Sequence, residues 1–329
     1  MNTIKPLLLT AALAAALPSS AQDGARFLGE TARMYREQAR YPESSWPLRA
    51  GQADTLKDER TPTVVTSGGR DGAPELRLWN AAVSVEAPGD VDLFASLAQA
   101  DRKLRPERFT AEIIDQSGAL GAKAVYADDG RGADREAGDG VYSARVSGLP
   151  VPELAAQYLV AVEAALPGGA LVHGSGGFLY SRPWARLTGS FRDRQSDGNV
   201  VVEAQVDVTR AGRFHLAGTL ATPDRQALGT AQAAVELGPG RHWIALSFYG
   251  LMFHDRGAAG PYRLVSVTLT TTGGMPNALG PLHEDAHVTR AYALSELRAT
   301  PFGQADLTAA AERLEREAAR LAGGADSRR

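Results

Sequence analysis

No cysteine occurs anywhere in the 329 residues. Disulfides, thiolate zinc centres and a lipid-modified N-terminal cysteine are therefore ruled out. Histidine appears six times and methionine four times, so imidazole and thioether ligands are scarce. Neither sign of charge dominates, with 35 Lys+Arg against 38 Asp+Glu and a formal net charge of −3. That balance leaves no electrostatic footprint for nucleic acid or anionic lipid. No apolar run approaches the ~20 residues that span a bilayer. P-loop and dinucleotide fingerprints are also missing.

What is present begins with MNTIKPLLLTAALAAALPSSA. Lys5 precedes a short apolar run from Leu7 to Leu17, and Ser19-Ser20-Ala21 supplies small residues. That order matches a secretory leader cleaved near Ala21, and implies a periplasmic or extracellular product. The 35 glycines and 18 prolines imply many turns, which favours β architecture.

Five segments are expected: a leader over 1–21, a helix and extended stretch over 22–74, sandwiches over 75–182 and 183–299, and a tail over 300–329. QDGARFLGETARMYREQAR (22–40) carries a helical stripe of Phe27, Thr31 and Met34, with Leu28 and Tyr35 beside it. Residues 41–74 read as irregular. From about residue 75 the apolar period changes to two. WNAAVSVEA, DVDLFASL, RFTAEIID, AKAVYA, GVYSARV, QYLVAVEA and GGFLYS are short runs separated by turn residues. Tyr158 stands where an Ig-type corner tyrosine would bond back to the backbone. Beyond a short PWAR hinge, VVEAQVDV puts Val202, Ala204, Val206 and Val208 on one face. RFHLAGTL, HWIALSF and PYRLVSVTLT continue the pattern. The expected fold is all-β: two tandem Ig-like antiparallel β-sandwiches with a short N-terminal helix and a C-terminal helix. That last helix, ADLTAAAERLEREAARLAGG, has Asp306 as its cap, Gly323-Gly324 as its end, and leucines 307, 314 and 321 seven apart.

YADDGRGADREAGDGVYSARV, residues 126–146, must connect two strand-like runs. Its glycines and aspartates suit a long polar turn. Asp128, Asp129, Asp134 and Asp139 also form a candidate calcium set, since hard cations take oxygen ligands. The spacing fails the EF-hand pattern, and no bidentate glutamate follows at the required offset. DDGRGADREAGDGVYSA resembles a turn in bacterial secreted Ig-like modules. The stretches LTGSFRDRQSDGNVVVEAQVDV, GRFHLAGTL, LGPGRHWIALSFYG and GPYRLVSVTLT are similar to a companion module found beside it. The resemblance, to tandem Ig-like proteins of unknown function, covers about 75–299. It implies fold and compartment, and hardly any activity.

LHEDAHVTRAY contains a literal H-E-x-x-H. On a helix, His283 and His287 would bind zinc and Glu284 would act as general base. Here MPNALGP before it is turn-like and VTRAY after it is β-prone; the resemblance implies that VTRAY is the final strand of the second sandwich. In a strand the two histidines would lie roughly 13 Å apart, so a solvated loop is the plainer expectation. HGSGG at 173–177 fails the serine-hydrolase patterns and reads as a turn. Trp79 and Trp243 are expected in cores, and Trp184 at the hinge. The functional expectation is a secreted, non-catalytic Ig-like binding or structural protein, with an unidentified protein or polysaccharide partner. The alternatives are a zinc-dependent hydrolase using the HEDAH segment and a calcium-stiffened adhesin or spacer.

Overall fold

The computed structural model describes residues 21–100 and 102–326; the expected leader lies outside the described residues, apart from Ala21. Along the chain come α1 (Ala21–Ala39), β1 (Ser45–Pro47), α2 (Thr55–Arg60), β2 (Val65–Gly68), β3 (Glu75–Asn80), β4 (Ser84–Glu86), β5 (Val91–Gln99) and β6 (Arg102–Lys103). Next are β7 (Arg108–Ile114), β8 (Leu120–Val125), β9 (Val141–Val146), β10 (Ala155–Ala165) and β11 (Leu171–Ser181). After these come β12 (Ala185–Ser196), β13 (Asn199–Val208), β14 (Gly212–Ala221), β15 (Ala227–Leu237) and β16 (Gly240–Phe248). The chain closes with α3 (Leu251–Asp255), β17 (Arg263–Thr272), β18 (Ala278–Val288) and α4 (Ala305–Asp326). Its described residues divide into two compact units, 47–298 and a terminal unit of 21–46 with 299–326.

Within 47–298 the fold is all-β and sandwich-like. In the first sandwich one sheet runs β2-β3-β5-β6 with β9 also on β5, and the other runs β4-β11-β10-β7-β8. Ladders are antiparallel except for the β4–β11 pair. Alternation explains the core: Leu76, Leu78, Leu93, Leu97, Ile113 and Val160 point inward and are buried. Each such side chain contributes about 1.5–3 kcal/mol of transfer free energy. WNAAVSVEA, read as one strand, is two: β3 and β4 belong to different sheets. β2 comes from the stretch expected to be irregular. Its four residues are mostly exposed, so they lack the alternation that marks a strand. HGSGG lies inside β11 rather than in a turn. Tyr158 is buried and stacks on Phe178 at 5.4 Å. The expected corner bond is made elsewhere, by the Tyr180 hydroxyl donating to Gly89 O at 3.0 Å.

The second sandwich packs β12-β13-β16 against β15-β14-β17-β18. Val202, Ala204, Val206 and Val208 fill its interior from β13, with Phe214, Leu216 and Leu220 from β14 and Ile244, Leu246 and Phe248 from β16. Trp243 faces out at 38% exposure, under the Arg192 guanidinium 4.3 Å from its ring. It shares the outward parity of Arg241 and Ala245, so it cannot be a core residue. α3 was missed because Leu251, Met252 and Phe253 are a contiguous buried turn with no period to read. VTRAY follows the last strand instead of forming it: β18 is ALGPLHEDAHV. Pro281 is tolerated there because β18 is an edge strand, bulged between the Thr268 and Thr270 pairings.

In the terminal unit, α1 and α4 pack against each other as a helix pair. Ala32, Ala39 and Ala311 are buried, and Arg36 makes two 2.7 Å bonds to Glu315. The buried face is rotated from the expected stripe, leaving Phe27 and Met34 exposed. α4 starts before Asp306, which lies in its first turn, and runs through Gly323-Gly324 to Asp326.

Candidate functional site

The aspartate loop crosses from one sheet of the first sandwich to the other, because β8 pairs with β7 and β9 with β5. Gly138 and Gly140 have φ of 79° and 80°, the left-handed region glycine enters freely. That turns both N–H groups onto one carboxylate. Gly138 N donates to Asp128 Oδ1 at 2.6 Å and Gly140 N to Asp128 Oδ2 at 3.0 Å. Asp134 is buried and accepts from Gly130 N at 2.6 Å and Glu136 N at 3.2 Å. The Gly130 N–H, aided by further backbone donors, holds its carboxyl below the usual range despite burial. Asp139 accepts from Val141 N at 2.7 Å. One carboxylate oxygen each from Asp128, Asp134 and Asp139 lies within 4.8 Å of the others. Asp129 stands apart from this group and takes Arg131 N at 3.1 Å. The loop closes on backbone donors, yet each carboxylate oxygen keeps acceptor capacity beyond one N–H. An all-oxygen set of this kind suits a hard cation such as calcium.

His283, Glu284 and His287 lie in a strand, neither a helix nor a solvated loop. They face Val267, Ser266 and Leu264 of β17 in the register. A bulge separates them, with Asp285 at φ 50°. Glu284 pairs with Lys57 at 3.0 Å. Asp285 pairs with Arg225 at 2.8 Å and Arg263 at 3.6 Å. His287 Nε2 meets Asp193 Oδ1 at 2.7 Å. Among the described residues, no third ligand joins His283 and His287 in a metal-capable group. Glu296, the next carboxylate along the chain after Asp285, accepts from the Ala293 N–H.

Asp193 is the polar hub that the sequence did not reveal. Its Oδ2 accepts from the Tyr292 hydroxyl at 2.6 Å and from Arg290 N at 3.2 Å, beyond its His287 bond. Burial pushes its pKa up, but the Tyr292, His287 and Arg290 donors outweigh burial and hold it below the usual range. Burial, then the hydrogen bond to Asp193, pushes Tyr292 up to about 12. The network ties β12 to the segment after β18, which makes it a structural clasp. No local sequence signal marks it, because its members are about 100 residues apart.

Only Arg182, Pro183 and Trp184 separate β11 from β12. Trp184 Nε1 donates to Glu153 O at 3.2 Å, and its backbone N to Thr271 Oγ1 at 3.0 Å. Arg210 stacks 4.2 Å from the indole and pairs with Glu153 at 2.9 Å. Arg182 N donates to Leu154 O at 2.7 Å, and Leu279 N to Ser181 Oγ at 3.2 Å. Bonds therefore cross the junction from several elements of each sandwich.

Residues 184–278 match a family model described as the C-terminal domain of a domain of unknown function, DUF4785. No curated protein matches. Among solved structures, a DUF4785 family protein from Legionella pneumophila subsp. pneumophila str. Philadelphia 1 is 16% identical, with 68% of this chain and 57% of that one covered and a TM-score of 0.46. A mutant Salmonella alpha-2-macroglobulin is 12% identical over 69% of this chain and 15% of that one, with a TM-score of 0.34. A tetra-tandem repeat from the extending region of a large adhesion protein is 16% identical, covering 72% and 50%, with a TM-score of 0.23. The chain thus spans a little over half the length of the Legionella protein, and its second sandwich is similar to a β-rich domain of unassigned function.

Proposed function

We propose that this chain is a non-catalytic binding or structural protein of the bacterial envelope or exterior. Its two sandwiches would act as one stiff arm that presents loops and sheet edges to a protein or polysaccharide. The observation that carries this reading is the three-residue, multiply bonded junction around Trp184. A hinge for domain closure would instead need a linker with few contacts across it. No helix among the described residues is long and apolar enough to cross a membrane, and the Lys5 and Leu7–Leu17 pattern supports export.

Export is tested by expressing the chain with and without residues 1–21 in a Gram-negative host. The full chain should appear outside the cytoplasm with a new N-terminus near residue 22, and the shortened chain should stay inside. Full-length protein kept in the cytoplasm would contradict the envelope reading. A second reading, a calcium-stiffened spacer, is favoured by the convergence of Asp128, Asp134 and Asp139. Calcium should then raise the melting temperature of the wild type but not of Asp128→Ala. Equal melting curves with calcium and with chelator would remove that reading. The zinc reading through His283, His287 and Glu284 is tested by metal analysis of purified protein. The Lys57 ion pair of Glu284 and the Asp193 bond of His287 predict no stoichiometric zinc; stoichiometric zinc lost in His287→Ala would revive it.

A further inference from the structure

The interior of the first sandwich is not filled. Even-numbered residues of β11 face inward, and Phe178 and Tyr180 are buried there. At Gly174 a Cβ would come within 2.8 Å of Leu76 and 3.1 Å of Leu78, so that glycine allows close packing. At Gly176, two residues on, a Cβ would meet nothing within 4 Å. Its φ is not in the left-handed region either. Neither backbone geometry nor crowding asks for glycine at 176, and glycine inside a strand weakens it. The space it leaves is a cavity of about 120 Å³ walled by Leu78, Val160 and Val65 and bordered by Pro62 and Trp79.

The Tyr126 phenol lies in this cavity wall without a protein hydrogen bond. Tyr126 is 5% exposed and lines the cavity. Its hydroxyl takes no hydrogen bond from or to the described residues and stays within reach of solvent. Asn80, by contrast, is engaged at the rim, donating to Gly177 O at 2.7 Å. Burial alone pushes the Tyr126 phenol up, so at neutral pH it is a proton donor. A ligand acceptor placed there would take the bond that the phenol otherwise offers to water.

We infer that this cavity is a binding site for a small, neutral, mainly apolar group of about six non-hydrogen atoms carrying one acceptor oxygen. The size follows from apolar cavities of ~150 Å³, which take benzene. The oxygen, a carbonyl, ether or hydroxyl, accepts from Tyr126 while the carbon skeleton meets Leu78, Val160 and Val65. Gly176 keeps the space open. This goes beyond the stiff-arm reading and does not depend on it.

Cyclopentanone is a suitable probe, titrated into the full chain and followed by heteronuclear NMR. Shifts should be confined to the cavity residues and should saturate. Tyr126→Phe should weaken binding roughly fivefold, the loss of one hydrogen bond. Gly176→Val should abolish binding and raise Tm by roughly 3–6 °C through cavity filling and a stiffer unfolded chain. Gly176→Ala, one methyl, gives a smaller change of the same sign in both readouts should the valine variant fold poorly. Three results would overturn the inference: no saturable shifts in the wild type, as for a cavity holding only water; undiminished binding by the glycine variants; or a lowered Tm in Gly176→Ala.

Discussion

Gly176 and Gly218 both sit inside strands on faces that look into a sandwich, and their surroundings are opposite. A Cβ at Gly218 would press to 2.7 Å from Leu246 and 2.9 Å from Leu264, whereas one at Gly176 meets open space. The second sandwich is packed to the backbone. There Thr219 bonds to Thr230 and Asp193 holds three donors, while Arg263 Nε is buried without a hydrogen-bond partner among the described residues. The first sandwich keeps a cavity beside the Tyr126 phenol, and a long acidic loop that closes on its own backbone donors. The contrast teaches that one repeated architecture can devote one copy to rigidity and leave the other room for a ligand.

The sharpest way to break this comparison is Gly218→Val. Overpacking against Leu246 and Leu264 should destabilise by about 3 kcal/mol in urea denaturation; a neutral result would mean that the second interior is as loose as the first. Next in size is Asp193→Ala, which strands the Tyr292 hydroxyl, the His287 imidazole and the Arg290 N–H. It should lose about 2–3 kcal/mol, with Asp193→Asn losing less because one acceptor oxygen remains. Gly176→Val reverses the sign, gaining about 0.5–1 kcal/mol. The smallest effect is expected from Asp134→Ala. Since the folded pKa of Asp134 is depressed, its contribution is complete above the unfolded carboxylate value and fades as pH falls through the folded one. Wild type and Asp134→Ala should therefore differ most in Tm at neutral pH and converge in acid. A gap that widened in acid would contradict the hydrogen-bonding account of that loop.

Much of the fold was legible because strand alternation is local. Val202, Ala204, Val206 and Val208 announce their face within seven residues, and all four are buried. Where local pattern and tertiary environment part company, the reading failed. β2 is exposed and carries no alternation. In α1 the larger side chains marked a stripe, but packing against α4 selected the alanines. Just before 283–287, Gly280 and Pro281 mimic a turn, although an edge strand with a bulge accommodates both. The candidate site was legible only in part. Four aspartates were visible and three converge, because which carboxylate turns inward depends on glycine angles that sequence does not state. The cavity at Gly176 left no signal, since a glycine that fits and a glycine that leaves space read alike. Asp193 was silent for a different reason, its partners being nearly a hundred residues away.

The stiff-arm reading stands or falls on the junction at Trp184. Residual dipolar couplings from backbone N–H groups of both sandwiches, in one aligned sample, report their relative orientation directly. A single alignment tensor should fit residues 65–181 and 185–288 together, and Trp184→Ala should split it into two. Two tensors of different magnitude in the wild type would mean that the sandwiches move independently, and the arm would not exist.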